Sequence, residues 1–300
     1  MKNRIVNIES VSEYNDILGI ETLHPLVSVI DMSQASAIRH MRHTFGMYVI
    51  FLKDVKCGDM IYGRHRYDYQ EGTLVCLAPG QVIGFEDNGE TFRPKGWALV
   101  FHPDIIRGTS LGRRIREYTF FSYEVNEALH LSESERNMVI DCLKQIRNEL
   151  GHAIVRHSKK IINVGIEMLL DYCMRFYERQ FITRSHINRD ILSRFDALLD
   201  DCFSGDSRER DGLPTVRYCA EQLCLSPNYF GDLIKKETGK TAQEYIRIKL
   251  VEAAKNRILD PGKTISQVAY ELGFQYPQHF SRLFKKTVGH TPNEYRSSME

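Results

Sequence analysis

Polar and basic side chains recur at helical spacing between Pro277 and Gly289. If this segment is a helix, Phe280, Leu283 and Phe284 share one face and point into a core, because residues three and four apart are neighbours on a helix. The opposite face then carries the hydrogen-bonding groups of Gln278, His279, Ser281, Arg282 and Lys285. Such groups can read base edges and hold phosphates. The other interpretation is an ordinary amphipathic helix whose outer face is merely solvated.

The flanking residues predict the elements that would hold this face. Thr264 is a good N-cap, and Gln267 follows three residues later, as in a capping box. Gly273 would end the first helix. Pro277 would start the second, because its missing N–H costs nothing in a first turn. A short helix, a tight turn and a second helix with a polar outer face form the geometry that enters a DNA major groove.

The whole pattern occurs twice, at 215–245 and again at 264–295. An offset of 49 residues pairs Thr215/Thr264, Ala220/Ala269 and Leu223/Leu272. After one inserted residue, Tyr276, an offset of 50 pairs Pro227/Pro277, Phe230/Phe280, Leu233/Leu283, Lys235-Lys236/Lys285-Lys286, Gly239/Gly289, Thr241/Thr291 and Glu244-Tyr245/Glu294-Tyr295. A register kept over two stretches indicates an internal repeat.

A single helix is predicted to join the two copies. Ala242 to Leu259 places Ile246, Leu250, Ala253, Ala254 and Ile258 on one face, and Pro261-Gly262 ends it. Its length is about 27 Å at ~1.5 Å per residue. Successive major grooves on one side of DNA are ~34 Å apart. The connector therefore has roughly the length that two grooves on one side of a duplex require.

Residues 184–300 resemble the DNA-binding domain of the AraC/XylS family of bacterial transcription regulators. Two long motifs carry the resemblance, LSPNYFGDLIKKETGKTAQEYI and ISQVAYELGFQYPQHFSRLFKKTVGHTPNEYR. The resemblance implies a domain with helix-turn-helix motifs at about 215–238 and 264–288, bridged by a linker helix at about 242–259. Each motif would offer one recognition helix to double-stranded DNA.

The family pattern also assigns roles within the recognition helices. In the second helix it places Gln278, Ser281 and Arg282 toward bases, with His279 beside them, and Lys285 and Lys286 toward phosphate. In the first helix the matching DNA-binding positions are Asn228, Gly231, Asp232, Lys235 and Lys236. Asp232 departs from the pattern, because a carboxylate repels phosphate, although it can accept from cytosine N4. The base preference of the first motif is therefore open.

Charge and cysteine content fit this interpretation. From Leu213 to Glu300 there are thirteen Lys/Arg and nine Asp/Glu, whereas the rest of the chain has 27 and 30. The basic portion therefore coincides with the repeat. Seven scattered cysteines without a C-x-x-C pair favour reduced thiols in a cytoplasmic protein. The sequence has no signal-peptide pattern at its start and no apolar run long enough to span a membrane, so we expect no membrane partner.

The first part of the chain, to about residue 125, predicts an antiparallel β-barrel. Short segments of β-forming residues alternate with Gly, Pro and Asp, at 26–31, 45–52, 61–62, 73–77, 82–85 and 97–101. The stretch GTLVCLAPG at 72–80 resembles the strand and turn of cupin barrels, the fold that many AraC-type sensors use. The predicted fold class is therefore α+β: a cupin-like barrel, a helical dimerisation segment and an all-α domain with two helix-turn-helix motifs.

The barrel lacks the residue pattern of a metal site, and we predict no metal and no cofactor. His65 and Glu71 stand where ligands would be, but Tyr67 occupies the position of a second histidine. A barrel without metal can hold a small organic effector. Candidate lining residues are Tyr48, Tyr62, Arg64, Tyr67, Phe85 and Trp97. Each of them could instead simply pack the core.

Two helices are predicted between the barrel and the repeat. The first begins at Ser132 with a capping box to Glu135, and the second runs from about Ser158 to Phe181. The apolar stripe of the second is wider than packing against one neighbour requires. AraC-type regulators often dimerise through such helices, which predicts a homodimer. The alternative is burial against the barrel of the same chain. The sensor and dimerisation domain is placed at 1–183, with its helices at 126–183.

Together these features predict a sequence-specific transcription regulator, controlled by a small-molecule effector and not an enzyme. RNA polymerase is a further partner to consider. Two alternatives remain open at this stage. One is a regulator controlled by protein partners without a small ligand. The other is a cupin-type enzyme with a DNA-binding tail, against which the missing histidine cluster argues.

Overall fold

The structure, a computed structural model, describes residues 5–53, 59–62, 65–68, 72–84, 91–124, 127–155, 157–203 and 212–299. The chain divides into two compact units, Met1–Thr183 (unit 1) and Arg184–Glu300 (unit 2). Unit 1 is rich in β-strands and ends in two long helices. Unit 2 is entirely α-helical over its described residues.

The strands of unit 1 are β1 (Ile5–Ile8), β2 (Val27–Asp31), β3 (Ile38–Arg39), β4 (Arg42–Phe45), β5 (Tyr48–Lys53), β6 (Asp59–Tyr62), β7 (His65–Asp68), β8 (Thr73–Leu77), β9 (Val82–Gly84), β10 (Thr91–Phe92), β11 (Gly96–Phe101) and β12 (Leu129–His130). Its helices are α1 (Val11–Leu18), α2 (Pro103–Ile106), α3 (Ser110–Arg114), α4 (Glu133–Leu150) and α5 (Ser158–Thr183).

The described strands pair into separate sheets and do not close into the predicted barrel. One five-stranded sheet has the order β1-β4-β9-β6-β7, a second has the order β12-β8-β5-β11-β2, and β10 pairs with β3 alone. The pairing is antiparallel except between β1 and β4, which run parallel. The prediction of a wholly antiparallel arrangement was therefore wrong at this edge, where a strand preceding the first predicted one joins the sheet.

Two strands replace the single strand predicted over 45–52. The break falls at Gly46 and Met47, where the Gly46 N–H donates to the carbonyl of Ile8 at 2.9 Å. Met47 at the break is fully buried, so the apolar run continues through it. Because hydrophobicity does not change at the break, the pattern of apolar residues could not reveal it.

The two long helices lie close to their predicted bounds. Ser132 and Glu135 form the expected capping box at the start of α4, with the Ser132 N–H donating to Glu135 Oε2 at 2.8 Å. The wide apolar stripe of α5 is divided between two environments. Ile162, Ile166, Leu169, Cys173 and Phe176 are buried. Ile161, Val164 and Met168 are 50%, 56% and 37% exposed, so one face of α5 lies open in the described chain.

Unit 2 consists of α6 (Ser185–Phe203), α7 (Val216–Gln222), α8 (Pro227–Thr238), α9 (Ala242–Ile258), α10 (Ile265–Glu271), α11 (Pro277–Val288) and α12 (Pro292–Met299). Its core contains packed aromatic rings: Phe195 on α6 packs against Phe230 on α8 with ring centroids 4.8 Å apart. Phe280 and Phe284 on α11 are buried in the same unit. No described helix in either unit combines the length and apolarity needed to cross a membrane.

Candidate functional site

The first helix of each copy ends in the same turn. In the second copy the Phe274 N–H donates to the Ala269 carbonyl at 3.0 Å, and the equivalent bond in the first copy measures 2.9 Å. Each bond closes around a residue in the left-handed conformation, Gly273 with φ of 89° and Cys224 with φ of 58°. These are the bonds of a Schellman motif. The sequence repeat is therefore also a repeat of backbone geometry.

Gly273 has a second constraint that Cys224 does not show. A Cβ atom at Gly273 would lie 3.0 Å from the carbonyl oxygen of Gly212, which is backbone and cannot move aside as a side chain would. The turn of the second copy therefore packs closely against the segment that precedes α7. Glycine is required there both for its positive φ and for the close approach.

The two candidate recognition helices, α8 and α11, begin differently. Ser226 caps α8, accepting from the Tyr229 N–H at 3.2 Å. At α11 the cap position is Tyr276, whose side chain makes no capping bond. Tyr276 is 53% exposed, and its ring packs edge-on against His279 with centroids 5.4 Å apart. The sequence comparison identified Tyr276 as an insertion but did not include it in the site. An exposed aromatic residue directly before a recognition helix is the signal that could have found it.

Buried aromatic and aliphatic side chains fix the inner faces of both helices. Phe230, Leu233 and Ile234 of α8 are fully buried. In α11, Phe280 contacts Phe274 and Phe284 at centroid distances of 5.4 and 5.8 Å. Leu283, which the sequence placed in the core, is only half-buried, because the segment at 212–214 and α9 leave a groove beside it.

The side chains predicted to contact DNA lie on the opposite faces. The exposed ones are Asn228, Lys235, Lys236, Gln278, His279, Arg282, Lys285 and Lys286, whereas Gly231, Asp232 and Ser281 are half-buried. Both helices end with a lysine pair in the last turn, before Gly239 and Gly289 in left-handed conformation. Lysines there also stabilise a helix through its dipole. Their placement is therefore compatible with phosphate binding without requiring it.

Helix α9 connects the two copies and packs against elements of both. It buries Ile246, Leu250, Val251 and Ala254, and it contacts α8 on one side and α10 and α12 on the other. Its start is anchored on α6, where Asp196 accepts from the Tyr245 hydroxyl at 2.8 Å. Burial and this carboxylate raise the pKa of Tyr245 to about 12.

Arg296 of α12 holds the turn that follows α9. Its Nε donates to the carbonyl of Ile258 at 2.6 Å, and its Nη2 donates to the carbonyl of Lys263 at 2.8 Å. These carbonyls belong to the end of α9 and to the residue before the cap of α10. One guanidinium therefore satisfies two backbone acceptors across the connection between the copies. Its fixed fork of donors suits this role.

A cavity of about 270 Å³ lies in unit 1, and both five-stranded sheets contribute to its wall. Most of its lining is apolar or aromatic, including Tyr14, Phe45, Phe51, Phe92 and Trp97. Among the lining residues that the structure describes, the basic ones are Arg39, His43, Lys53 and Lys95. Burial lowers the pKa of His43, so its ring is neutral near pH 7. A cavity of this composition is typical of small-molecule sites.

The predicted effector residues are distributed unevenly around this cavity. Trp97 lines it, and the guanidinium of Arg147 lies 5.9 Å from the Trp97 ring centroid. Tyr48 does not line the cavity, and its ring stacks on Phe101 with centroids 5.0 Å apart. Tyr62 and Tyr67 lie in β6 and β7, but their side chains, like Arg64 and Phe85, lie outside the described residues. His43, Lys53 and Lys95 were not predicted as lining.

The residues predicted at the positions of metal ligands also lie partly outside the described part of the chain. The side chain of His65, and Glu71, lie outside the described residues. Among the side chains that the structure describes, no three of His, Cys, Asp or Glu are grouped so that they could hold a metal ion.

Comparison with known proteins identifies the type of the C-terminal unit. Residues 219–298 match the family model of a helix-turn-helix domain. The uncharacterized transcriptional regulatory protein YesN of Bacillus subtilis is 38% identical over 78 residues, covering 25% of this chain and 21% of that protein. The arabinose operon regulatory protein of Escherichia coli is 30% identical over 81 residues, covering 27% of this chain and 28% of that protein.

One relative matches over both units. The uncharacterized HTH-type transcriptional regulator YijO of Escherichia coli is 29% identical over 226 residues, covering 75% of this chain and 76% of that protein. The other two named relatives are matched over less than a third of their own length. The predicted resemblance is confirmed: this chain carries an AraC-type helix-turn-helix domain, and its relatives are transcription regulators of the AraC/XylS type.

Proposed function

We propose that this protein is a sequence-specific transcription regulator that reads DNA through both α8 and α11. The observation that carries the proposal is the pair of matching turns, each followed by a helix with a buried aromatic face and an exposed polar face. Helix α9, with 17 residues, is about 26 Å long at ~1.5 Å per residue. This length supports binding to two neighbouring major grooves on one side of the duplex.

Within α11 we propose that Gln278, Ser281 and Arg282 read bases, with His279 and Tyr276 at the start of the helix. Lys285 and Lys286 would hold phosphate. In α8, Asn228 and Lys235 are the favoured contacts, and Lys236 lies beside them. Asp232 would limit binding to sites that offer a donor, such as cytosine N4. The second motif therefore supplies most of the affinity and the first adds selectivity.

In-vitro selection of binding sites from random duplex DNA tests this function. The expected result is a site with two short conserved blocks about one helical turn apart. Footprinting should then protect one side of the duplex. Selection that yields no enriched sequence, or a single block unaffected by substitutions in α8, would contradict reading by both helices.

We further propose that the protein forms a dimer through the open face of α5. The exposed residues Ile161, Val164 and Met168 recur every three or four positions, so they form one continuous stripe on the helix. An exposed apolar stripe is costly in water and typical of an interface. Val164→Glu should convert a dimer to a monomer in light-scattering measurements. Lys144→Glu on α4 is a control, since Lys144 is exposed and does not belong to the stripe.

Finally, we propose that a small molecule in the cavity of unit 1 controls DNA binding. The cavity is formed, mainly apolar and supplied with a few polar groups, which supports a ligand site. Such a ligand can act only through its different affinity for the DNA-bound and free arrangements of the protein. Measuring the affinity for the selected site with and without a bound ligand tests this control. An unchanged affinity at saturating ligand would contradict it.

A further inference from the structure

We propose that Tyr276 selects for thymine, by placing its ring against the C5-methyl group in the block of bases that α11 reads. This inference rests on the proposed function and names the chemical group that one residue of the second helix-turn-helix recognises. Three features of Tyr276 carry it: the capping bond that it does not make, its exposure beside the proposed base-reading side chains, and the chemistry of its ring.

The cap position of α11 is occupied by a residue that does not cap. Ser, Thr, Asp or Asn at this position would accept a hydrogen bond from the first turn and stabilise the helix. The first copy has such a residue, Ser226, which is 3% exposed and accepts from the Tyr229 N–H. The side chain of Tyr276 makes no capping bond. The second copy therefore lacks a stabilising bond next to the proposed DNA-reading face, and natural proteins break such local rules mainly at functional sites.

The ring of Tyr276 lies open to solvent and extends the row of side chains proposed to read DNA. Tyr276 is 53% exposed. Its ring packs edge-on against His279, with centroids 5.4 Å apart and ring planes inclined by 66°. Arg282 follows three residues after His279, so these two are neighbours on the exposed face of α11. The ring therefore stands at the N-terminal end of this row, and recognition helices contact base edges with their N-terminal residues.

The edges of the bases in a major groove offer a ring one kind of apolar partner. Each base pair presents hydrogen-bond donors and acceptors there, and the C5-methyl group of thymine is the apolar feature. An aromatic ring at a base edge is therefore matched by thymine and by no other unmodified base. A ring that already packs against His279 also loses little freedom on binding. The alternative role for Tyr276 is a hydrogen bond from its hydroxyl to phosphate, which would carry no sequence information.

Replacing thymine by deoxyuridine removes only the methyl group, so this replacement isolates the proposed contact. Arg282→Ala first identifies the block that α11 reads, as the block in which base choice relaxes. Tyr276 and Arg282 are about 9 Å apart along the helix at ~1.5 Å per residue, so the thymine should lie within about three base pairs of that position. Wild-type protein should bind the deoxyuridine duplex about fourfold more weakly, which corresponds to the ~0.8 kcal/mol of burying one methyl group. A block with no thymine there, or with none whose methyl group affects the affinity, would overturn the proposal.

Three variants assign the effect to the ring. Tyr276→Ser introduces the capping residue of the first copy, so it should keep or raise the melting temperature while binding the thymine and deoxyuridine duplexes equally. Tyr276→Phe retains the ring and should retain the preference for thymine. Tyr270→Ser is the matched control and should also retain it, because Tyr270 is 58% exposed but lies on α10. A preference for thymine that survives in Tyr276→Ser, or an equal loss of affinity for both duplexes in Tyr276→Phe, would overturn recognition of the methyl group by the ring.

The same measurements separate this inference from the function on which it rests. If selection yields a site with two blocks but Tyr276→Ser prefers thymine as strongly as the wild type does, thymine recognition is wrong and the regulator stands. If no DNA sequence is enriched, the proposed function fails, and thymine recognition fails with it.

Discussion

Arg282 stands four residues after Gln278 on α11, so the two side chains lie on the same exposed face. Arg282→Ala should weaken binding to the selected site by about 1–3 kcal/mol and relax base choice at one position, because a bidentate contact to guanine would be lost. Fluorescence anisotropy with the selected duplex and its single-base variants measures both effects. Unchanged affinity and unchanged base choice would exclude Arg282 from readout.

Lys286→Ala is the variant to compare with Arg282→Ala, because Lys286 is proposed to contact phosphate and a phosphate contact carries no sequence information. It should weaken binding to all duplexes alike and reduce the slope of log affinity against log salt by about one. A loss confined to one sequence would assign Lys286 to base readout instead.

Gly231 is the half-buried glycine within α8, and a Cβ atom added there would meet nothing within 4 Å. Gly231→Ala should therefore raise the free energy of unfolding by up to about 1 kcal/mol, since glycine in a helix interior is less favourable than alanine by about this amount. The same change should weaken DNA binding if the helix backbone approaches the bases at this point. Urea denaturation and anisotropy provide the two measurements.

Gly165→Ala in α5 is a control for which the free energy of unfolding should change in the opposite direction. A Cβ atom at Gly165 would lie 2.9 Å from Cγ1 of Ile146, so this variant should be destabilised. A Gly231→Ala protein that is more stable and binds DNA as tightly as the wild type would show that α8 does not approach DNA closely.

At the scale of elements, the turns between helices have the same backbone geometry in the two copies but differ in the residue at the left-handed position, Gly273 in one and Cys224 in the other. Gly273→Ala should lower the free energy of unfolding by at least about 1–2 kcal/mol, because alanine is strained at positive φ and its Cβ would crowd the Gly212 carbonyl. Cys224→Gly should be nearly neutral, since relief of left-handed strain is offset by the ~0.5–1 kcal/mol cost of ordering glycine. Far-UV circular dichroism in urea measures both. Equal losses in the two variants would contradict this account.

The helices were more predictable from sequence than the sheets, for a physical reason. Caps act over three or four residues, so Thr264 with Gln267 located the start of α10 correctly. A similar signal, Ser10 with Glu13, marks α1, but this helix of eight residues was not predicted. Strand partners are set by contacts between distant segments. The parallel pairing of β1 with β4 therefore had no local signal.

The two candidate sites differ in the same way. The candidate recognition helices are local, so helical periodicity predicted most of their exposed side chains, although Ser281 and Leu283 are both half-buried. The cavity in unit 1 is built from residues between Tyr14 and Trp97, brought together by both sheets. Only Trp97 among the predicted effector residues is known to line it. No periodicity in the sequence connects Lys53 with Lys95, because their proximity to one cavity depends on how the strands pair.

At the scale of the whole molecule, the stability of unit 1 should depend on pH through its buried histidines. Burial lowers the pKa of His24 and of His43, both in unit 1. The unfolded chain therefore takes up protons first as the pH falls below the ordinary value of 6.5. Unit 1 should lose stability between about pH 7 and pH 5, because the buried rings must become charged. The only tryptophan is Trp97, so its fluorescence follows the unfolding of this unit.

His43→Gln should flatten this pH dependence, since one of the two buried rings is then absent. Glu135, whose pKa is lowered although burial acts in the opposite direction, contributes a loss only below its ordinary value of 4.5 and does not interfere in this range. A melting temperature that stays constant or rises from pH 7 to pH 5 would contradict neutral, buried histidines.

The hydrogen bonds of Arg296 bear on how firmly the two helix-turn-helix copies are held relative to each other. The guanidinium donates to the carbonyls of Ile258 and Lys263, and so it stabilises the turn between α9 and α10 that connects the two copies. Arg296→Ala would remove these bonds while keeping both candidate recognition helices and the Tyr295 ring that packs on Phe284 of α11. Such a protein should still recognise either short block of its site, but it should tolerate altered spacing between the blocks. Under the proposed function, the last short helix would thereby set the spacing between the two blocks that one molecule accepts.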